Sequence, residues 1–147
     1  MKREMLIVVD LDGTLCDISK RREYVTQSPK DWKMFFKKMV DDIPNQWCLE
    51  IVNRFVKDHQ ILLVTGRPRE YEKATREWLA TWNIQFDQLF MREEGDFRVD
   101  HIIKQEIYDR HIRERGRVLF VLDDRQQVVD MWRRNGVVCL QCDDGNF

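Results

Sequence analysis

Cysteine is scarce in this chain, which holds four among its 147 residues. So few cysteines do not form a disulfide framework, and we expect reduced thiols in a cytoplasmic protein. Cys139 and Cys142 make one C-x-x-C pair, but no second pair and no pair of histidines accompanies it in the sequence. A zinc site is therefore not expected, and Cys139 is expected to pack on a strand.

Long apolar runs and an excess of one charge are also missing. No apolar run approaches the roughly 18 residues that a membrane-spanning helix requires, so no membrane partner is expected. The start of the chain, MKREMLIVVDLDGTL, turns apolar but meets two aspartates at once, which argues against a signal peptide. The net charge is −1, so anion binding has to come from local groups of arginine and lysine.

Repeats, low-complexity tracts and linkers are absent from the sequence as well. A chain of 147 residues is long enough for one ordinary hydrophobic core. We therefore expect a single domain over residues 1–147, and its oligomeric state is left open.

The sequence does contain a regular alternation of strand and helix patterns. Apolar runs at 5–9, 61–64 and 118–122 predict buried strands, and weaker runs at 86–91 and 137–140 predict two more. Helical patterns follow Ser28-Pro29, Pro44-Asn45 and Pro68, surround Lys104 and occupy 128–134, with Trp47, Trp78 and Trp82 expected in the core. The alternation predicts an α/β fold with a mostly parallel, doubly wound sheet and helices on both faces.

Acidic or hydroxyl residues follow three of the predicted strands. Asp10 follows the first strand, Thr65 the second, and Asp123 with Asp124 the strand at 118–122. Ligands of such sheets bind beyond the carboxyl ends of the strands, so these groups are expected to form a site. Clustered carboxylates repel one another unless a hard cation lies among them, which predicts Mg²⁺ as the cofactor.

Cations near these acids predict a phosphate substrate. They are Arg67, Arg92, Arg98, Lys104 and Arg125. One aspartate can attack phosphorus as a nucleophile, and a second, two residues on, can serve as general acid and then as general base. Thr65 can hydrogen-bond a phosphoryl oxygen, and Lys104 can keep the nucleophile ionised. Taken alone, Thr65 is also explained as a helix cap and Lys104 as a solvated helix lysine.

The residues that carry this chemistry resemble a known family. D-x-D-G-T at Asp10–Thr14 resembles the first motif of the haloacid dehalogenase (HAD) superfamily, and Thr65, Lys104 and Asp123-Asp124 follow in the order of its other motifs. The segments VTGRPREY, MREEGDFRVDHIIKQEI, VLDDRQQVVDMWRRNGV and DDGNF are similar to the 3′-phosphatase domain of phage-type polynucleotide kinase-phosphatases. The resemblance covers nearly the whole chain and is weakest over residues 17–47.

The resemblance implies a role for each matching position. Asp10 would be the nucleophile and Asp12 the general acid and base, assisted by Thr65 and Lys104. Mg²⁺ would be held by the Asp10 side chain, the Asp12 backbone carbonyl and Asp124. Substrate contact or pocket support would come from Arg21, Gly66, Arg67, Arg92, Arg98 and Arg125, with Asp100 and Asp123 in support.

Residues 17–43 form a short basic insert in the place where many HAD enzymes carry a cap. The insert is too short for a large cap, so we expect an open cleft that admits the end of a polymer. A solvated face explains most of its lysines and arginines, although a minority could follow nucleic-acid phosphates. Its aromatic residues could stack on a terminal base, but core packing is favoured for Trp32, Phe35 and Phe36.

The leading functional hypothesis is a Mg²⁺-dependent polynucleotide 3′-phosphatase that acts on DNA or RNA ends. A nucleotidase or broad small-molecule phosphatase on the same scaffold is the alternative, and an inactive binding module is disfavoured because all the acids are present. The sequence has no G-x-x-x-x-G-K-[ST] motif. We therefore expect a stand-alone phosphatase, or one that partners a separate kinase or ligase.

Overall fold

The structure, a computed structural model, describes residues 5–146. Residues 1–4 and 147, the ends of the predicted domain, lie outside the described residues. Five parallel strands form one sheet in the order β3-β2-β1-β4-β5: β1 (Met5–Val9), β2 (Gln60–Pro68), β3 (Gln88–Arg92), β4 (Arg117–Arg125) and β5 (Cys139–Gly145). The helices are α1 (Glu23–Thr26), α2 (Trp32–Lys37), α3 (Gln46–Phe55), α4 (Glu72–Thr81), α5 (Asp100–Ile107) and α6 (Gln126–Arg134). A π-helical turn (Tyr108–Ile112) extends α5, and 3-10 turns lie at Lys38–Asp41 and Arg69–Tyr71.

Helices cover both faces of the sheet, as the alternating pattern predicts. Successive side chains of a strand point to opposite faces, and β1 is buried on both. Leu6 and Val8 pack in the core that includes α5 and α6. Ile7 and Val9 pack in the core that includes α3 and α4. The predicted doubly wound parallel sheet is confirmed, with β1 at its centre.

Some predicted boundaries and core positions are wrong. Helix α2 begins at Trp32 instead of Pro29, because the Asp31 carboxylate caps it by accepting a hydrogen bond from the Met34 backbone N–H (3.0 Å). Trp47 and Trp82 are 41% and 39% exposed, since one lies in the first turn of α3 and the other just beyond the end of α4. Trp78 is in the core as expected.

The insert at residues 17–43 folds as α1, α2 and the turn Lys38–Asp41 around a small core of its own. Arg21 is buried there, with its guanidinium carbon 4.2 Å from the centre of the Phe35 ring. A solvated face therefore does not describe Arg21, whose charge is balanced by buried carboxylates. Within the described residues, no helix is long and apolar enough to cross a membrane.

Candidate active site

The ends of the two central strands bring three carboxylates together. Asp10 directly follows β1, and Asp123 and Asp124 lie near the end of β4, which pairs with β1. One oxygen from each carboxylate lies within 4.8 Å of the others. All three residues are buried. Negative charges that lie this close together and are buried from solvent require a compensating cation.

Lys104, on helix α5, supplies part of that compensation. Its Nζ donates to Asp10 Oδ1 (2.9 Å) and to Asp123 Oδ2 (3.0 Å), and it lies 3.7 Å from Asp100 Oδ2. Burial opposes the charged ammonium, but the neighbouring carboxylates outweigh burial and raise the pKa of Lys104 well above its ordinary value. Lys104 is 1% exposed, so it is not a solvated helix lysine.

The acids remain under-compensated despite this lysine. Burial, followed by the charge of Asp123, raises the pKa of Asp10 well above its ordinary value. The same two causes raise the pKa of Asp124 to about 6. The Oδ2 atom of Asp124 is buried and has no hydrogen-bond partner among the described residues. Oxygen ligands in this condition fit a hard divalent cation such as Mg²⁺, which Asp10 and Asp124 would hold.

Two glycines have no side chain where a neighbouring carboxylate lies, Gly13 beside Asp124 and Gly66 beside Asp100. Gly13 has a φ of +84°, in the region that favours glycine, and a Cβ there would overlap the Asp124 carboxylate. A Cβ on Gly66 would overlap the carboxylate of Asp100 in the same way. The glycine of D-x-D-G-T is therefore required by the turn and by the acid beside it.

Asp12 lies in a different electrostatic environment from Asp10. Arg67 donates to it through Nε (3.1 Å to each oxygen) and Nη2 (2.6 Å), and Arg21 donates through Nη2 (2.5 Å). Burial opposes ionisation of Asp12, but the two guanidinium groups outweigh burial and hold its pKa well below the usual range. Both arginines are 1% exposed. The structure thus places Arg21 and Arg67, predicted to contact substrate or support the pocket, against Asp12.

Asp42 completes this network and was not among the predicted site residues. Its carboxylate accepts from Arg21 Nε (3.0 and 3.1 Å) and Nη2 (2.6 Å). On the other side, Arg67 Nη1 donates to the Thr75 hydroxyl (3.1 Å). Asp42 belongs to the weakly matching insert and to no motif, so the sequence carries no signal for it.

Thr14 is a second site residue that was not predicted, although it is the threonine of the D-x-D-G-T motif. Its hydroxyl lies 3.4 Å from Asp10 Oδ2 and 3.4 Å from Asp124 Oδ1. Thr65, which was predicted, is fully buried and its hydroxyl accepts from the Arg67 backbone N–H (3.1 Å). Thr14 therefore touches both acids, whereas the observed bond of Thr65 shapes the turn towards Arg67.

The remaining predicted arginines lie at the rim of the site. Arg92 Nε donates to the Gly66 carbonyl (2.8 Å), and its Nη2 lies 3.5 Å from Asp100. Arg125 Nη1 lies 3.6 Å from the same carboxylate. Arg98 is further out and forms ion pairs with Asp96 (2.7 Å) and Glu106 (2.6 Å). Asp100 thus links the rim to Lys104.

A cleft of about 630 Å³ opens above the acids. Asp10, Asp12 and Asp124 form part of its floor. Its walls are aromatic and basic, and include Lys30, Trp32, Lys33, Phe36, Tyr71, Arg92, Phe97, Arg98 and Arg125. Trp32 and Phe36, predicted as core residues, pack against the small core of the insert but are only partly buried, and they also line this cleft.

Comparison with known proteins agrees with this geometry. The family described as "Polynucleotide kinase PNKP phosphatase domain" matches residues 4–147. Chains from two structures of the Pnkp1/Rnl/Hen1 RNA repair complex are each 33% identical to this chain over 98% of its length, with TM-scores of 0.86 and 0.84. The match covers 44% and 47% of those chains, so this chain spans less than half of their length.

More distant relatives extend the comparison. A "Putative bifunctional polynucleotide kinase/RNA ligase" of Autographa californica nuclear polyhedrosis virus is 28% identical over 130 residues, which are 86% of this chain and 17% of that protein. A haloacid dehalogenase-like hydrolase of Streptococcus pneumoniae, 13% identical with a TM-score of 0.66, covers 94% of this chain and 83% of its own and shows the shared fold. This chain belongs to the PNKP phosphatase-domain family of HAD-like phosphatases, hydrolases that act on phosphate esters.

Proposed function

We propose that this protein is a Mg²⁺-dependent phosphatase that removes 3′-phosphates from nucleic-acid ends through an aspartyl-phosphate. One observation carries the proposal: a buried Asp10, held by Lys104 and close to Asp124, lies on the floor of an aromatic and basic cleft. This arrangement offers a nucleophile, a place for a cation and room for a strand end.

In the first step, an Asp10 carboxylate oxygen forms a bond to phosphorus as the bond to the 3′ oxygen breaks. Lys104 orients Asp10 through its hydrogen bond to Oδ1 and offsets negative charge. Asp12 then supplies the proton that the departing 3′ oxygen requires. In the second step, Asp12 takes a proton from water, which attacks the aspartyl-phosphate, releases phosphate and regenerates Asp10.

The surroundings of Asp12 suit the second step directly, because the two guanidinium groups hold its pKa low and favour the ionised form, which can accept a proton. For the first step, Asp12 has to gain a proton, which requires weaker contact with Arg21 or Arg67. We infer that these arginines position Asp12 and do not bind the scissile phosphate, because both are almost fully buried behind it.

Mg²⁺ would be held by the side chains of Asp10 and Asp124 and by the Asp12 backbone carbonyl. When bound, it supplies positive charge to neutralise the phosphate and the clustered acids. Asp123, which accepts from Lys104, would orient that lysine and not hold the metal.

A polymer end as substrate is supported by the open cleft and by the cations at its rim, Lys30, Lys33, Arg98 and Arg125. The relatives point the same way: the matched structures belong to an RNA repair complex, and the viral relative is described as a polynucleotide kinase/RNA ligase. We propose that this phosphatase likewise acts beside a kinase or a ligase activity in the repair of ends.

A comparison of three substrates tests the proposal. A 3′-phosphorylated oligonucleotide, a 3′-mononucleotide and a 5′-mononucleotide are assayed with Mg²⁺, and the oligonucleotide is expected to have the highest kcat/KM. Equal or faster turnover of the free mononucleotides would contradict the polymer-end assignment. Activity that survives complete removal of divalent cations by EDTA would contradict the metal assignment, and wild-type turnover by Asp10→Asn would contradict the covalent mechanism.

A further inference from the structure

We propose that Phe97 is a stacking platform for the terminal base of the 3′-phosphorylated strand, in the same cleft as an aromatic wall built on Trp32. The proposal rests on the proposed function and adds a subsite for the nucleoside that carries the phosphate. The site would accept any base, because its recognition surface is a ring and not a set of hydrogen-bonding groups.

The exposure of Phe97 is the first observation. Its side chain is 94% exposed, and the next most exposed large hydrophobic residue, Val138, is 59% exposed. Single exposed hydrophobic residues are ordinary on protein surfaces, so exposure alone assigns nothing. Phe97, however, borders the same cleft that has Asp10 and Asp124 on its floor, where an apolar ring facing water is available to a substrate.

The loop that carries Phe97 is braced from both sides. Arg92 Nη1 donates to the backbone carbonyls of Asp96 (2.9 Å) and Arg98 (2.5 Å), which flank Phe97 in the sequence. The Asp96 carboxylate accepts from the Arg98 backbone N–H (3.2 Å) and from its guanidinium, and Glu106 holds that guanidinium from α5. These bonds order the backbone on both sides of Phe97, so less backbone entropy is lost when a base stacks on the ring.

The aromatic wall belongs to the insert and to the 3-10 turn that precedes α4. Trp32 and Phe36 stack with ring centres 5.9 Å apart and planes 25° apart, and Phe36 lies 5.3 Å from Tyr71. The Arg125 guanidinium carbon and the Lys30 ammonium lie 5.5 Å and 5.7 Å from the centre of the Trp32 ring. Flat aromatic surfaces with cations beside them are what single-stranded nucleic acid requires, since bases stack and phosphates need positive charge.

The nucleoside that carries the scissile phosphate is the part of the substrate that would lie beside Phe97. A 3′-phosphate bound at Asp10 brings its own sugar and base into the cleft. The base is the large flat group of the substrate that can stack on a ring. Base–aromatic stacking is worth about 1–3 kcal/mol per base. Removal of the Phe97 ring should therefore reduce affinity for a base-bearing end by roughly 5- to 150-fold.

The test compares Phe97→Ala with wild type on three phosphate esters. The first is a short 3′-phosphorylated oligonucleotide, the second is the same strand with a tetrahydrofuran replacing the terminal base, and the third is glycerol 2-phosphate. The expected result is a rise in KM for the first substrate only, with kcat nearly unchanged. Phe97→Trp keeps an aromatic ring and should have the wild-type KM, whereas Phe97→Leu should have the raised KM of Phe97→Ala. Leu140→Ala, which truncates an exposed apolar residue on β5, is the control and should behave as wild type.

An unchanged KM of Phe97→Ala for the base-bearing strand would overturn the proposal. An equal loss on all three substrates would also overturn it, because it would show that Phe97 shapes the loop instead of contacting a base. The wild-type rates report on the proposed function separately: a wild type that hydrolyses glycerol 2-phosphate but not the oligonucleotide defeats the polymer-end assignment. Binding of the first two strands to Asp10→Asn, with and without Phe97→Ala, is then measured by fluorescence anisotropy and reports on stacking without turnover.

Discussion

Replacing Asp124 by asparagine should stabilise the metal-free protein while it abolishes hydrolysis. Asp124 lies among carboxylates, is 1% exposed, and has one oxygen without a hydrogen-bond partner among the described residues. Without a divalent cation, the folded state is therefore destabilised by the charge of Asp124. Asparagine keeps the shape of the side chain and removes that charge.

The pKa of Asp124 gives the size and the sign of the effect. A rise from 3.8 to about 6 corresponds to about 3 kcal/mol against the ionised form. Above pH 6, the group is ionised in both the folded and unfolded states, and the folded state carries the whole cost. As the pH falls from about 6 to 4, the folded state binds the proton first, so the contribution of Asp124 to stability rises.

Thermal unfolding in EDTA measures this effect directly. At pH 7 we expect Asp124→Asn to be about 1–3 kcal/mol more stable than wild type, a gain of about 3–10 °C in Tm. The gain should shrink as the pH approaches 4. Saturating Mg²⁺ should reverse the order, because a metal at a hundredfold excess over its Kd adds about 3 kcal/mol to wild type and little to the variant.

Asp130→Asn, an exposed change of the same charge, is the control and should move Tm little under any of these conditions. A variant less stable than wild type in EDTA at pH 7 would refute the reasoning, since it would mean that Asp124 is not held at a cost. A wild type whose Tm does not respond to Mg²⁺ would refute the metal site itself.

Three further substitutions test the surroundings of Asp10 and Asp12, the two aspartates proposed to be catalytic. Asp42→Asn, which loosens Arg21 against Asp12, should lower kcat/KM about 10- to 100-fold on an alkyl phosphate. It should lower kcat/KM much less on p-nitrophenyl phosphate, because kcat/KM reports the first step and this leaving group needs no proton from Asp12. Lys104→Met should lower kcat about 10²- to 10³-fold, by steady-state kinetics, and destabilise the metal-free protein by about 3–5 kcal/mol. Gly66→Ala should lower Tm and activity together, because its Cβ would displace the carboxylate of Asp100.

Each of these has an outcome that would contradict it. Equal losses on both substrates for Asp42→Asn would show that the ion pair with Arg21 serves folding and not the proton transfer. Wild-type kcat in Lys104→Met would mean that the nucleophile does not depend on this cation. An unchanged Tm in Gly66→Ala would mean that the Asp100 carboxylate can move away from the added Cβ without destabilising the fold.

The sheet and its acids were predictable because their signals are local. The run before Asp10 and the run before Asp123 are strand patterns in themselves, and parallel strands end at the same edge. The D-x-D-G-T motif predicts the turn after β1 and contains Gly13, whose missing side chain leaves room for the Asp124 carboxylate. Lys104 was placed by its motif, and its contact with Asp10 follows from the packing of α5 on the sheet.

The network around Asp12 was not predictable from such signals. Arg21 and Asp42 lie near opposite ends of the insert and Arg67 lies on β2, so the two arginines meet at Asp12 only when the insert folds onto the sheet. The resemblance marks Arg21 as a site residue, but the burial of Arg21 depends on two carboxylates that lie 9 and 21 residues away in the sequence. In the sequence Phe97 is indistinguishable from a core residue, although the structure leaves it 94% exposed.

The insert therefore does more than stand in the place of a cap. The sheet edge determines the charge state of Asp10, through Asp123, Asp124 and Lys104. Arg67 of β2 and Arg21 of the insert together hold the pKa of Asp12 low, and Asp42, also in the segment 17–43, holds Arg21. The same segment supplies the aromatic wall of the cleft through Trp32 and Phe36. Since the insert borders the cleft and also contacts Asp12 through Arg21, we expect a bound strand end that shifts the insert to change the proton affinity of Asp12.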